Sequence, residues 1–146
     1  MRELFTDEEW ETLLLAPLFA NYATGMTDDE VVGAHESQAL VQTVASTMMY
    51  GQDDLSREVC QTIVSDYATT IGRLREVSGT VAAADVITAA GRLADRVAAP
   101  SYKQLILDVC EATANASDPA SGPDPAARDA KLQAVRLVRE MLDLPE

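Results

Sequence analysis

Apolar residues recur every three to four positions along this chain, and no segment alternates apolar and polar side chains as a half-buried strand would. Thr6 opens the first helical run. Its hydroxyl suits the backbone N–H groups that follow, Glu9 completes a capping box, and Asp7, Glu8 and Glu9 complement the helix dipole. Trp10, Leu13, Leu14, Pro17 and Leu18 share one face. Pro17 has no N–H and its ring clashes one turn back, which predicts a break or kink there, with residues 18–24 continuing as a second short helix.

The next run extends from Gly33 or earlier to Met49 on Leu40, Val41, Val44, Ala45 and Met48, and Gly51 ends it. A further helix is predicted over residues 54–77, carrying Val59, Cys60, Ile63, Tyr67, Ile71 and Leu74, with Ser78-Gly79-Thr80 as its stop. The following one buries Val86, Ala90, Leu93, Ala94 and Val97 and ends before Pro100. Ser101 with Gln104 reads as another capping box, opening a helix on Leu105, Ile106, Val109 and Ala112. Three prolines and a glycine make residues 118–125 a loop. Asp124 as N-cap and Pro125 at the first helical position then start a last helix that presents Leu132, Val135, Val138 and Leu142 to the core. The expectation is an all-α, compact bundle of about six to seven helices with antiparallel neighbours.

The 146 residues fit a single helical domain, 1–146, large enough to bury roughly 68–70% of its unfolded surface without disulfides or metals. Charge changes the picture more. Twenty-four carboxylates against eleven Lys plus Arg give a formal charge of −13, which repels phosphate backbones and anionic membranes and favours cations or basic protein surfaces. A protein partner is therefore expected and nucleic acid is not, although the same acidity also serves solubility alone. No apolar run approaches the roughly 20 residues that span a bilayer, so direct membrane insertion is not expected. Met1-Arg2-Glu3-Leu4 leads into an acidic segment without a signal-peptide apolar region, which points to the cytoplasm. Cys60 and Cys110 each fall within an apolar helical repeat, outside any CxxC or Cys/His cluster, and read as buried thiols.

Catalysis of the common kinds needs a nucleophile, a base and an orienting group, and the chain has one histidine, His35. His35-Glu36-Ser37-Gln38-Ala39 begins like the zinc-protease helix motif but places Ala39 where the second ligand must fall. A di-iron bundle needs two Glu-x-x-His pairs, and no glycine-rich phosphate loop is present. An enzyme is not expected.

The acidic stretch Thr27-Asp28-Asp29-Glu30-Val31-Val32-Gly33-Ala34-His35-Glu36 supports two readings. In one, Thr27 caps a helix, Glu30 closes a capping box and the carboxylates balance the helix dipole. In the other the chain stays irregular through Val31-Val32-Gly33, a helix begins near Ala34, and Asp28, Asp29 and Glu36 converge as oxygen ligands for a hard cation, Ca2+ or Mg2+. The spacing is not that of an EF-hand.

Residues 5–44, with Glu8-Glu9-Trp10, Ala16-Pro17 and an acidic turn followed seven residues after Asp29 by Glu36, resemble the N-terminal part of the TerB-like (tellurite-resistance) helical family. So does the C-terminal part, where Tyr102-Lys103-Gln104 opens an apolar helix that ends in Ala114-Asn115-Ala116-Ser117 before an acidic Gly/Pro loop and a helix closing on Leu142-Asp143-Leu144. The resemblance implies a compact helical bundle, a link to chemical-stress defence, and a suspected metal cluster in which Asp29 and Glu36 take the family's Asp and Glu positions with Asp28 as an added neighbour. Where the family usually has Gly after that Asp, this chain has Glu30, and Asp129 stands roughly where a second acidic partner is expected. The function implied is a non-enzymatic stress-response domain that binds a divalent cation at the acidic loop. The alternative is a structural or adaptor bundle that works by protein–protein contact without metal.

Overall fold

The run Leu13-Leu14-Leu15-Ala16-Pro17-Leu18-Phe19-Ala20 has no polar face, and a helix that is apolar all round must be surrounded by protein. The computed structural model describes residues 2–25, 34–78, 80, 82–115 and 125–143, and within these the side chains of 34–37, 125–128, 130 and 131 are not among those described. A short 3-10 turn, Arg2–Leu4, precedes helix α1 (Asp7–Gly25). There follow α2 (Ala34–Tyr50), α3 (Asp54–Ser65), α4 (Tyr67–Val77), α5 (Ala83–Arg96), α6 (Pro100–Asn115) and α7 (Pro125–Met141). No strand occurs among the described residues. Helix α1 is central and packs against all the others, while α2 also meets α3 and α6, and α6 meets α5 and α7. Leu13, Leu15, Ala16, Leu18, Phe19 and Ala20 are accordingly buried.

The expected interruption at Pro17 does not split α1, which runs through it as one helix. Pro17 cannot donate to the carbonyl one turn back, that of Leu13, and an unpaired buried carbonyl is costly. The fully buried Tyr102 of α6 supplies the missing donor, its hydroxyl lying 2.6 Å from Leu13 O. A tertiary hydrogen bond thus replaces the local one.

The single helix expected over residues 54–77 is instead two. Asp66 leaves helical geometry (φ −119°, ψ 35°) while its N–H still donates to Thr62 O at 2.9 Å and its carbonyl accepts from Thr70 N–H at 2.9 Å. Thr62 and Thr70 also turn their hydroxyls back onto carbonyls four residues earlier, which weakens a helix locally, and Asp66 is a poor helix former. The break lets α3 bury Leu55, Val59, Cys60 and Ile63 mainly on α2 while α4 brings Leu74 to α1.

The capping box at the start of α1 is present: Thr6 N–H donates to Glu9 Oε1 at 2.9 Å, and Glu9 N–H donates to Thr6 Oγ1 at 3.1 Å. The box expected between Ser101 and Gln104 is not formed. Gln104 bonds Asp108, and the first turn of α6 is capped from a distance by Asp53, whose Oδ2 accepts from Ser101 N–H at 2.8 Å. Helix α5 ends in a Schellman arrangement, with Ala99 N–H on Ala94 O, Ala98 N–H on Asp95 O, and Ala98 in the left-handed region at φ 54°. Three residues of the predicted apolar repeats are exposed instead: Val41 at 47%, Tyr67 at 36% and Leu132 at 40%.

Candidate functional site

The acidic constellation from the sequence is only partly within view. Asp28 and Asp29 lie outside the described residues, as does the loop over residues 118–124. Glu36 and His35 have their backbone in α2, and their side chains are not described. Asp129 is exposed on α7. Of these acidic residues, only Asp129 has a described side chain. Among the described residues, no three His, Cys, Asp or Glu side chains form a group suited to a metal ion.

The best-defined polar site in the described part lies where the N-terminus folds against α5. Arg96 donates to both oxygens of Glu9, at 3.0 and 3.3 Å, and to Leu4 O at 3.3 Å, and its guanidinium sits 5.2 Å from the Phe5 ring centre. The Arg96 hydrogen bond, helped by the Thr6 N–H, holds the Glu9 carboxyl below the usual carboxylate range. Arg2 lies 5.6 Å from the Trp10 ring centre, donates to Phe5 O and pairs with Asp7. Beside this network runs an open groove of about 340 Å³ lined by Glu8, Glu9, Thr12, Ala89, Arg92 and Leu93. The lining offers two carboxylates, a threonine hydroxyl and a guanidinium.

Both thiols are buried, and burial pushes each up to about 12, so that neither is an activated nucleophile. Cys110 belongs to a polar seam between α1 and α6 that the sequence reading missed. Its Sγ approaches Ala20 O at 3.9 Å, and Asn21 Nδ2 donates to Thr113 Oγ1 at 2.8 Å, which in turn donates to Val109 O at 2.7 Å. Thr24, also buried, hydrogen-bonds Cys110. The only signal for it was a lone Asn at the end of an apolar run, whose partner lies 92 positions away.

At the far end of α2, Met49 and Tyr50 are 66% and 71% exposed, consecutive, and followed by a turn tied to α6 through Ser101, whose Oγ accepts from Gln52 N–H and whose N–H donates to Asp53 Oδ2. The helical repeat turns Met48 inward against the core and carries no signal for the two residues after it. No helix in the described residues is long and apolar enough to cross a membrane. No family model, curated protein or solved structure matches the chain.

Proposed function

We propose that this chain is a non-enzymatic, cytoplasmic, TerB-like helical module that acts by binding a protein partner, with the exposed end of α2 as its contact. The observation that carries this reading is the Met49–Tyr50 pair, two large apolar side chains left open to solvent where the chain turns. Tyr and Met are enriched in the buried centres of interfaces, Tyr because it adds area at low entropic cost and Met because it adapts to the facing surface. A chain of formal charge −13 attracts basic partners and repels acidic ones, so the complementary segment is an amphipathic, basic one. The test is titration with a Lys/Leu amphipathic helical peptide and with a Glu/Leu peptide of equal apolar content. Binding of the basic peptide that is lost in the Met49→Ser/Tyr50→Ser variant supports the reading. Equal binding by parent and variant removes α2 from it.

The second reading is the divalent-cation site at Asp28, Asp29 and Glu36, favoured by three carboxylates within nine residues of an already acidic chain, whose mutual repulsion a cation would relieve. Its link to chemical stress is supported by the TerB-like resemblance. With so few protein ligands an affinity on the order of 10⁻⁴ to 10⁻³ M is expected for Ca2+, so millimolar cation should stabilise the fold by about 1 kcal/mol. Thermal melting in Ca2+ or Mg2+ is compared with monovalent salt of equal ionic strength, for the parent and the Asp29→Asn/Glu36→Gln variant. A divalent gain no larger in the parent than in the variant sinks the cation reading.

A further inference from the structure

Three consecutive side chains at the start of α6 reach three different parts of the molecule. A helix turns by about 100° per residue, so neighbouring side chains leave it in widely separated directions. Ser101 meets the turn between α2 and α3 twice: its N–H donates to Asp53 Oδ2 at 2.8 Å, and its Oγ accepts from Gln52 N–H at 3.1 Å. Tyr102 crosses to α1, where its hydroxyl pairs with the carbonyl that Pro17 leaves free. Lys103 runs towards α5, its Nζ 3.0 Å from Asp95 Oδ1, with the residue only 8% exposed. Asp53 is shared as well, since its Oδ1 accepts from Ser56 N–H at 2.8 Å. One carboxylate therefore caps the first turns of both α3 and α6.

We propose that the first turn of α6 is a three-way latch, through which the α2–α3 turn, the central helix and α5 open together or not at all. Helix ends ordinarily fray first, because their N–H groups have no helical partner and opening them exposes little. At this end, fraying must break the ties to Asp53 and Gln52, leave Leu13 O without a donor in the core, and expose the buried stem of Lys103. Loss of one tie loosens the others because all are fixed on the same rigid turn. The latch is independent of what the protein binds.

Amide hydrogen exchange read by NMR on the full chain tests it. The Ser56, Ser101 and Gln52 amides, each paired to a side chain, should be protected in the parent protein. In Asp53→Ala the first two should exchange about tenfold faster, and Gln52, whose partner is Ser101 Oγ and not Asp53, should accelerate by a comparable factor. Lys103→Met keeps the bulk of the buried stem and removes the pairing with Asp95. It should accelerate Ser101 although it touches neither Asp53 nor Gln52. Asp53→Asn, which retains one accepting oxygen, replaces the alanine variant if that does not fold. Acceleration confined to Ser56 and Ser101 in the Asp53 variant, or an unchanged Ser101 in Lys103→Met, means that the ties are independent and overturns the proposal.

Discussion

Replacing Tyr102 by Phe removes one oxygen from the core and little else, which makes it the sharpest probe of how α1 passes through Pro17. The hydroxyl is the donor to Leu13 O, at 2.6 Å, in a site where Tyr102 and Leu13 are both fully buried. Pro17 has no N–H to offer in its place. The Phe variant therefore leaves a buried carbonyl unsatisfied, a loss of about 1–3 kcal/mol, and for a domain of this length a loss of 2 kcal/mol lowers Tm by roughly 4–8 °C. Pro17→Ala supplies the complementary test, since an alanine N–H can bond Leu13 O within the helix. The penalty of Tyr102→Phe should then shrink by about 1 kcal/mol in the Pro17→Ala background, measured by urea denaturation of all four proteins so that the packing change at residue 17 cancels. If Tyr102→Phe is equally damaging in both backgrounds, the hydroxyl is not standing in for the proline's missing donor. Burial also holds the phenol well above its ordinary value, so the neutral form is favoured in the fold. The stability it contributes is complete below about pH 10, where the unfolded phenol titrates, and is lost as pH rises beyond that. The Phe variant should lack that part of the alkaline decline.

Ala98→Gly should stabilise the protein by about 0.5–1 kcal/mol in the same urea assay, because Ala98 is exposed, at φ 54°, and adopts the left-handed conformation that closes a Schellman motif; a loss of stability would contradict that geometry. Cys60 and Cys110 should react with a bulky disulfide reagent at pH 8 only as fast as the fold opens, and because both thiols are pushed up to about 12, stability should fall as pH rises above about 9 and the unfolded thiols ionise; rapid stoichiometric labelling of the native protein would remove them from the core. Glu9 has a depressed carboxyl, so its contribution is present above about pH 4.3 and disappears as pH falls through its lower folded value; Glu9→Gln should flatten the acid limb of the melting temperature against pH, and an identical acid limb would mean that the Arg96 pairing carries no linkage.

What the sequence disclosed and what it hid divide by the distance to the partner. Thr6 and Glu9 cap one another across three positions, so their residue types alone predict the bond, and the same holds for the apolar stripe Val59, Cys60 and Ile63, whose spacing is a property of one helix. The continuity of α1 through Pro17, the cap at Ser101 and the break at Asp66 escape local rules for the opposite reason. Local rules say that proline interrupts a helix, and they omit a tyrosine 89 positions away that takes over the orphaned carbonyl. They pair Ser101 with Gln104, and omit an aspartate 48 positions earlier whose second oxygen reaches the same N–H first. At Asp66 the apolar stripe continues through Ile63, Tyr67, Ile71 and Leu74 without a gap, so periodicity reads one helix; Thr62, Asp66 and Thr70 weaken that helix locally, and the break lets α3 pack mainly on α2 while α4 packs on α1, an arrangement no window of sequence contains. The candidate site suffers from the same limit. Asp28, Asp29 and Glu36 are neighbours in sequence, and neighbouring carboxylates repel as readily as they chelate; only the position of a third group from elsewhere in the fold decides between a capped helix start and a cation site. Exposure of Met49 and Tyr50 is equally non-local, since the helical pattern that turns Met48 inward says nothing about whether another element covers the opposite face.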